Sequence, residues 1–394
     1  MRTCAAVMTS KGTGAISTIQ IFGDSAVEIL KKIFKSVGRK EMTLTTGDVY
    51  VGSIFDGKKN IDQVTIGCEG PENFAINCHG NPLIVADIME LLAKHNVELV
   101  DSDKLITKIN RTQNQLNTIA VEAGIAAAKA LTLEGTKIIN NQTEKGLARV
   151  LSEWKNKKEL INLEEIKTDA RKMLSNSQTA RLIIYGCRAV IIGPPNSGKS
   201  TLLNCLAGRE KAIVTDIEGT TRDWVSAGCR IGPIFVEIID TAGLNEIVTE
   251  AETSPVHQAA QRKSLELLNE ADLLLLVLDS SKSVEQLNDE IVNKIINRKI
   301  LVVLNKNDLP EKLKKEKLPS HLQNIVSISA KNATGINELH RRILEITNTA
   351  DFNLTSPVCF TPRQENLLKQ INKAQSKEQA FSIITELLNG EVFV

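Results

Sequence analysis

Apolar and polar positions alternate with a period of two in four short runs of the first hundred residues, AISTIQIF, GDVYVGSIF, QVTIGC and FAINCH. Such runs predict half-buried β-strands. Between them, 25–35 and 83–95 change to helical spacing, so this region reads as a small α+β domain. An interval without proline follows, from Pro82 to Pro194, and its glycines are sparse. Within it Leu147, Val150, Leu151 and Trp154 recur at helical spacing, as do Leu160, Leu163, Ile166, Ala170, Met173 and Leu174. That predicts long amphipathic helices packed on one another, with the tryptophan in their core.

From Cys187 to about Ile346 the pattern becomes continuous apolar runs separated by helical segments: RAVIIG, IFVEIID, LLLLVLD, KILVVLN and NIVSIS. Strands apolar on both faces predict a mainly parallel sheet with helices on either side. Beyond it, Thr361 and Pro362 supply an N-cap and a first-turn proline. Leu367, Leu368, Ile371 and Ala374, then Phe381, Ile384, Leu387 and Leu388, place an apolar stripe on one or two last helices. Each helical segment alone leaves its stripe unburied, so the simplest assembly inserts the α/β domain between two helical segments that pack together.

Composition narrows the functions open to this chain. Its 394 residues suffice for two or three cooperative units. Lys and Arg number 48 against 47 Asp and Glu, which leaves no protein-wide basic surface for nucleic acid. Aromatics at 3% leave few platforms for stacking single-stranded bases. The seven cysteines contain no CxxC pair and suit reduced thiols in small core positions. No apolar run is long enough to cross a membrane, and Met1 does not open a basic-then-apolar leader, so a cytoplasmic location without membrane contact is expected.

Candidate chemistry concentrates in the α/β segment. GPPNSGKS, residues 193–200, follows an apolar strand and opens a helix, the context a phosphate-binding P-loop requires. Glycines let the amides of Asn196, Ser197, Gly198, Lys199, Ser200 and Thr201 curl around an anion, with Lys199 meeting the β- and γ-phosphates and the Ser200 hydroxyl meeting Mg²⁺. Asp240, Thr241, Ala242 and Gly243 end a strand, so Asp240 can reach Mg²⁺ through water while the Gly243 amide senses the γ-phosphate. Asn305, Lys306 and Asp308 end another, and Asp308 can accept two hydrogen bonds from guanine. Adenine lacks both donors, so a buried carboxylate there discriminates by about 1–3 kcal/mol or more. Ser329, Ala330 and Lys331 close the base pocket.

The loop Thr215, Asp216, Ile217, Glu218, Gly219, Thr220 and Thr221 precedes Arg222 and Asp223, and Thr221 is expected to complete the Mg²⁺ shell. Directly after Gly243 stands Leu244, which cannot orient water. Charge and a water-orienting group for hydrolysis must therefore come from elsewhere.

GPPNSGKSTLLNCLAGREKAIVTDIEGTTRDW followed by IIDTAGL resembles the tRNA modification GTPases called MnmE or TrmE. The resemblance is specific over 187 to about 345 and topological elsewhere. It implies an N-terminal α+β domain at 1–108, a helical domain in two parts at 109–186 and 349–394, and between them a Ras-like P-loop G domain at 187–348. It further implies a K⁺ ion held by Asn196, Thr215, Ile217 and Thr220 in place of an arginine finger, and a homodimer whose G domains associate as they hydrolyse GTP. Glu252 is the implied water-orienting residue, with Glu250 and Glu246 as competitors. A flavin-dependent partner of the MnmG type, and tRNA as an indirect partner in wobble-uridine modification, complete the picture.

Departures from the family pattern leave a second reading open. Members end in a tail containing Cys-Ile-Gly-Lys, whereas this sequence ends ELLNGEVFV at Val394. The family's formyl-tetrahydrofolate site uses an arginine, an acidic residue and a lysine, where this sequence has Gln20, a shortened GPENFAINCHG retaining Glu72, and Gln115. Together these changes remove most of the charge a folate needs. The alternative is a divergent paralogue acting as a GTP-dependent regulatory or scaffold switch without folate-linked chemistry. A plain translation or ribosome-assembly GTPase accounts for the G domain but not for the domains around it.

Overall fold

The computed structural model describes residues 2–9, 14–37, 45–113, 117–209, 225–240, 266–287, 292 and 295–390. They form two compact units, one comprising the chain up to Ile125 with the residues from Asn389 on, the other Ala126–Leu388.

The first unit is built on a seven-stranded sheet of order β3-β4-β5-β6-β2-β1-β7, formed by β1 (Cys4–Val7), β2 (Ile16–Phe22), β3 (Phe34–Ser36), β4 (Val49–Asp56), β5 (Lys59–Gly70), β6 (Asn73–His79) and β7 (Glu98–Leu99). Pairing is antiparallel except between β1 and β7. Alternation sends Ile19 and Ile21 of β2, Ile66 of β5 and Ile76 of β6 to one face, under α1 (Ala26–Ile33) and α2 (Pro82–Lys94). Ile29, Leu30 and Ile33 of α1 and Ile88, Leu91 and Leu92 of α2 fill that layer. Each such side chain contributes about 1.5–3 kcal/mol. Helix α2 begins where the sequence signals it: the Asn81 side chain accepts from the Leu83 amide and Pro82 occupies the first turn. On the opposite face Leu105, from α3 (Ser102–Gln113), packs on Cys4, Ala6 and Phe22.

Helix α4 (Thr118–Ala127) holds the boundary between the units, and the second unit continues with α5 (Leu133–Gln142), α6 (Leu147–Asn156) and the 23-residue α7 (Leu163–Tyr185). Leu147, Leu151 and Trp154 are buried on α6, and Ile166, Ala170 and Met173 on α7, as their spacing predicts. Leu160 is a correction: it is 86% exposed, in a turn ahead of the helix. The reason is the capping box that starts α7, in which Asn162 and Glu165 satisfy each other's amides and fix the first turn beyond Leu160.

Gly186, at φ 87°, ends α7 and turns the chain into a six-stranded sheet of order β13-β12-β11-β8-β10-β9. Its strands are β8 (Cys187–Ile192), β9 (Val225–Ile231), β10 (Ile234–Asp240), β11 (Leu273–Asp279), β12 (Ile300–Asn305) and β13 (Ile325–Ser327). All neighbours are parallel except β9, an antiparallel edge beside β10. Helices α8 (Lys199–Arg209) and α9 (Ile336–Ile346) belong to this layer.

After α9 the chain returns to the helices. Gln142, fully buried, accepts from the Leu147 and Val358 amides and donates to the Ile138 and Ser356 carbonyls. Ser177 accepts from the Cys359 amide at 2.9 Å, and the Tyr185 hydroxyl donates to Phe360 O at 2.7 Å. The returning segment then enters α10 (Pro362–Lys373), capped by Thr361 and packed on α7, and α11 (Lys377–Asn389). The helical segments before and after the sheet thus bury each other's stripes.

Candidate nucleotide site

Three strands of the parallel sheet deliver a polar residue at their carboxyl ends: Asp240 from β10, Asp279 from β11 and Asn305 from β12. Open α/β sheets bind ligands at that edge. Between β8 and α8 the P-loop takes a shape that only its sequence permits. Gly193 lies at φ 143°, where an added Cβ would fall 2.1 Å from Val277 O. Gly198 lies at φ 93°, where an added Cβ would fall 2.3 Å from Asn305 Nδ2. Asn196 also has positive φ, at 62°.

Lys199 is buried and folds back over its own loop, its Nζ donating to the Gly193 and Pro194 carbonyls at 3.0 Å each. Burial lowers its pKa, opposed by the Asp240 carboxylate. The Ser200 hydroxyl donates to Asp240 Oδ2 at 2.6 Å. Asp240 Oδ1 is buried and has no hydrogen-bond partner among the described residues, nor has Ser197 Oγ. Thr201 is exposed on the first turn of α8.

Asn305 and Lys306 tie the loop to the rest of the sheet edge. Asn305 Nδ2 donates to Ser197 O at 2.9 Å, and its Oδ1 accepts from the Ala330 amide at 3.0 Å. Lys306 Nζ donates to Asn196 O at 2.7 Å and to Asp279 Oδ2 at 2.7 Å. The carboxyl of Asp308 is held below its usual pKa by a hydrogen bond from Ser329 and by the charges of Lys331 and Lys306. The structure therefore brings 196–201, Asp240, 305–308 and 329–331 to one edge. Thr215, Asp216, Ile217, Glu218, Gly219, Thr220, Thr221, Thr241, Ala242, Gly243 and Glu252, with its competitors Glu246 and Glu250, lie outside the described residues.

Residues 188–306 match the family model of a 50S ribosome-binding GTPase, and 3–102 match that of the GTP-binding protein TrmE N-terminus. The tRNA modification GTPase MnmE of Clostridioides difficile (strain 630) is 30% identical, the alignment covering 94% of this chain and 88% of that protein. The chain belongs to the MnmE family. MnmE of Acetivibrio thermocellus is likewise 30% identical, over 93% of this chain and 86% of its own length, and MnmE of Thermoanaerobacter sp. (strain X514) is 30% identical over 89% and 83%. As a member of this family the chain is a GTP hydrolase.

The MnmE resemblance implies Mg²⁺ and a folate, and the two fit differently. The Ser200 hydroxyl offers Mg²⁺ a hard oxygen donor, and the Asp240 carboxylate beside it, whose buried Oδ1 has no hydrogen-bond partner among the described residues, fits a water of the ion's shell. In the N-terminal unit Gln20, which stands where the family has arginine, is buried and donates through Nε2 to Glu69 Oε2 at 2.6 Å and to Asn73 Oδ1 at 2.7 Å. Both amide N–H groups are engaged within the protein, so Gln20 offers an anionic ligand neither charge nor a free donor. Glu72 supplies its main-chain carbonyl to the Gly23 amide, and Gln115 lies outside the described residues. The described residues do not fit a folate.

Asp279, with Ser281 and Gln286 beside it, is the part of the site that motif reading missed. The available signal was an acidic residue closing an otherwise apolar strand, LLLLVLD, at the edge where such sheets bind ligands.

Proposed function

We propose that the chain is a K⁺-activated GTPase whose cycle is coupled to G-domain dimerisation and serves the tRNA modification named for its MnmE relatives. The observation that carries the GTP-binding core of this reading is the tethering of two successive P-loop carbonyls, Asn196 O and Ser197 O, by Lys306 and Asn305, the pair that precedes Asp308. The phosphate-binding and base-binding segments are thereby joined by direct hydrogen bonds.

In this reading 187–348 is the switching domain. Lys199 exchanges the Gly193 and Pro194 carbonyls for the β- and γ-phosphates, a better match for a desolvated ammonium. Ser200 and Thr221 would hold Mg²⁺, with Asp240 reaching it through water, and the ion's positive charge would offset the charge developing on the transferred phosphoryl group. Asp308 accepts from guanine, and 329–331 line the base. Asn196, Thr215, Ile217 and Thr220 hold K⁺, which supplies the charge an arginine finger supplies elsewhere. Glu252 orients the attacking water, with Glu250 and Glu246 as its rivals. A flavin-dependent MnmG-type partner supplies the modification chemistry, and tRNA is engaged through that complex.

The test is GTP turnover in K⁺ against Na⁺ at equal ionic strength. Turnover is expected to be faster in K⁺; equal rates would refute the potassium assignment. The hydrogen-bonded Gln20, Glu69 and Asn73 cluster favours a second reading, a GTP-driven switch without folate chemistry. Titration calorimetry with formyl-tetrahydrofolate decides between them: measurable binding removes the second reading.

A further inference from the structure

Asp279 closes β11 with its carboxylate almost wholly buried, the residue being 2% exposed. A carboxylate withdrawn from water is costly unless its lone pairs are filled. One oxygen accepts from the Ser281 amide at 3.0 Å and the Ser281 hydroxyl at 2.6 Å, and the other accepts from Lys306 Nζ at 2.7 Å. Gln286 grips the main chain of the same residue, its Oε1 accepting from the Asp279 amide and its Nε2 donating to the Asp279 carbonyl, each at 2.9 Å. Burial works against this charge, yet the hydrogen bonds from Lys306 and Ser281 keep its pKa below the usual carboxylate value.

The Lys306 ammonium that meets Asp279 also holds Asn196 O. Asn196 and Lys306 both lie in the left-handed region, at φ 62° and 64°. Asparagine tolerates that region, but a lysine stays there only where its surroundings hold it. We propose that Asp279 is a positioning residue of the nucleotide site, acting through Lys306 to hold the P-loop at Asn196. This deepens the GTP-binding reading above and rests on it. Without the carboxylate, Lys306, whose side chain is 32% exposed, regains hydration by swinging outward on its flexible stem. Asn196 O then loses its donor, and the loop amides that cradle phosphate lose their fixed spacing.

The test uses the full chain and fluorescent GDP and GTP analogues, with Asp279→Asn, Lys306→Met and the double substitution. Asp279→Asn is expected to weaken both nucleotides tenfold or more and to raise KM for GTP by a larger factor than it lowers kcat. Added to Lys306→Met, it is expected to cost less than a further twofold, because the two act through one contact. Affinity within twofold of the parent, or losses that multiply in the double variant, overturns the proposal. Ser281→Ala serves where loss of the buried charge prevents folding: it removes one bond to the same carboxylate and is expected to weaken GDP severalfold in the parent and not in Lys306→Met. Unchanged affinity in the parent overturns the proposal by that route. Asp308→Asn separates this outcome from failure of the guanine-site reading. If Asp308→Asn costs tenfold or more while Asp279→Asn costs nothing, only the positioning role fails; if Asp308→Asn also costs nothing, the reading beneath it fails.

Discussion

Replacing Gly198 with alanine tests whether the P-loop is held by the sheet edge or only shaped by its own sequence. The new methyl would sit 2.3 Å from Asn305 Nδ2, on a backbone at φ 93°. Either the backbone leaves that conformation or the amide moves. Holding a non-glycine residue there costs about 1–3 kcal/mol. Moving the amide breaks its bonds to Ser197 O and from the Ala330 amide. Those two bonds are worth about 0.5–1.5 kcal/mol each, and more where a buried group is left unpaired. Together the terms come to about 2–6 kcal/mol against the binding-competent loop. Affinity falls with the population of that loop, so GDP and GTP are both expected to weaken by roughly thirtyfold or more. The assay is equilibrium titration of labelled nucleotide, with a thermal melt to confirm folding. Gly208, inside α8 with nothing within 4 Å of an added Cβ, is the control. Alanine there is expected to stabilise the protein by about 0.5–1 kcal/mol and to leave affinity unchanged. Binding within tenfold of the parent for Gly198→Ala would show that Asn305 does not brace the loop.

Three further expectations concern the fold. Gln142→Leu leaves the Leu147 and Val358 amides without an acceptor, which is expected to cost about 2–5 kcal/mol in urea unfolding, and a loss under 1 kcal/mol contradicts the bonding described. Burial pushes the thiol of Cys187 up to about 12 and those of Cys78 and Cys359 to about 11, from 9.0. The folded protein keeps these protons while the unfolded chain releases them above about pH 9. Their stabilising contribution is therefore complete below pH 9 and lost as pH rises toward 11–12, which denaturant midpoints at pH 8, 9 and 10 would register as a progressive fall. At pH 8 a thiol reagent is expected to label Cys205 first, since it alone of the seven is not buried.

Legibility followed burial. LLLLVLD and ILVVLN are buried at every position, so their apolar runs announced β11 and β12 directly. VSAGCRI, the edge strand β9, has small residues and a glycine and shows neither clean alternation nor an apolar run. Strands β1 and β7, of four and two residues, are too short to carry a period. Leu160 misled because helical spacing continues by chance across a cap, and only the paired bonds of Asn162 and Glu165 place the true start. In the site, Gly193, Lys199, Asn305 and Asp308 were legible because phosphate and guanine demand particular groups at fixed spacing. Asp279 was not, because its partner Lys306 lies 27 residues on and the two meet only through the register of β11 with β12.

Gln142 reaches Ser356 and Val358 across 214 and 216 residues, and Ser177 reaches Cys359 across 182. On the ribosome, α5–α7 emerge with their apolar stripes unpartnered. At about 5–20 residues per second, the returning segment follows roughly ten to forty seconds later. Closing a flexible loop of that length costs on the order of 5 kcal/mol in chain entropy. A sheet domain that has already folded brings Gly186 and the residues after Ile346 into reach and removes most of that cost. The helices before the sheet therefore complete their bonding only once the residues after it have been made, and whatever stabilises the folded sheet domain eases that closure.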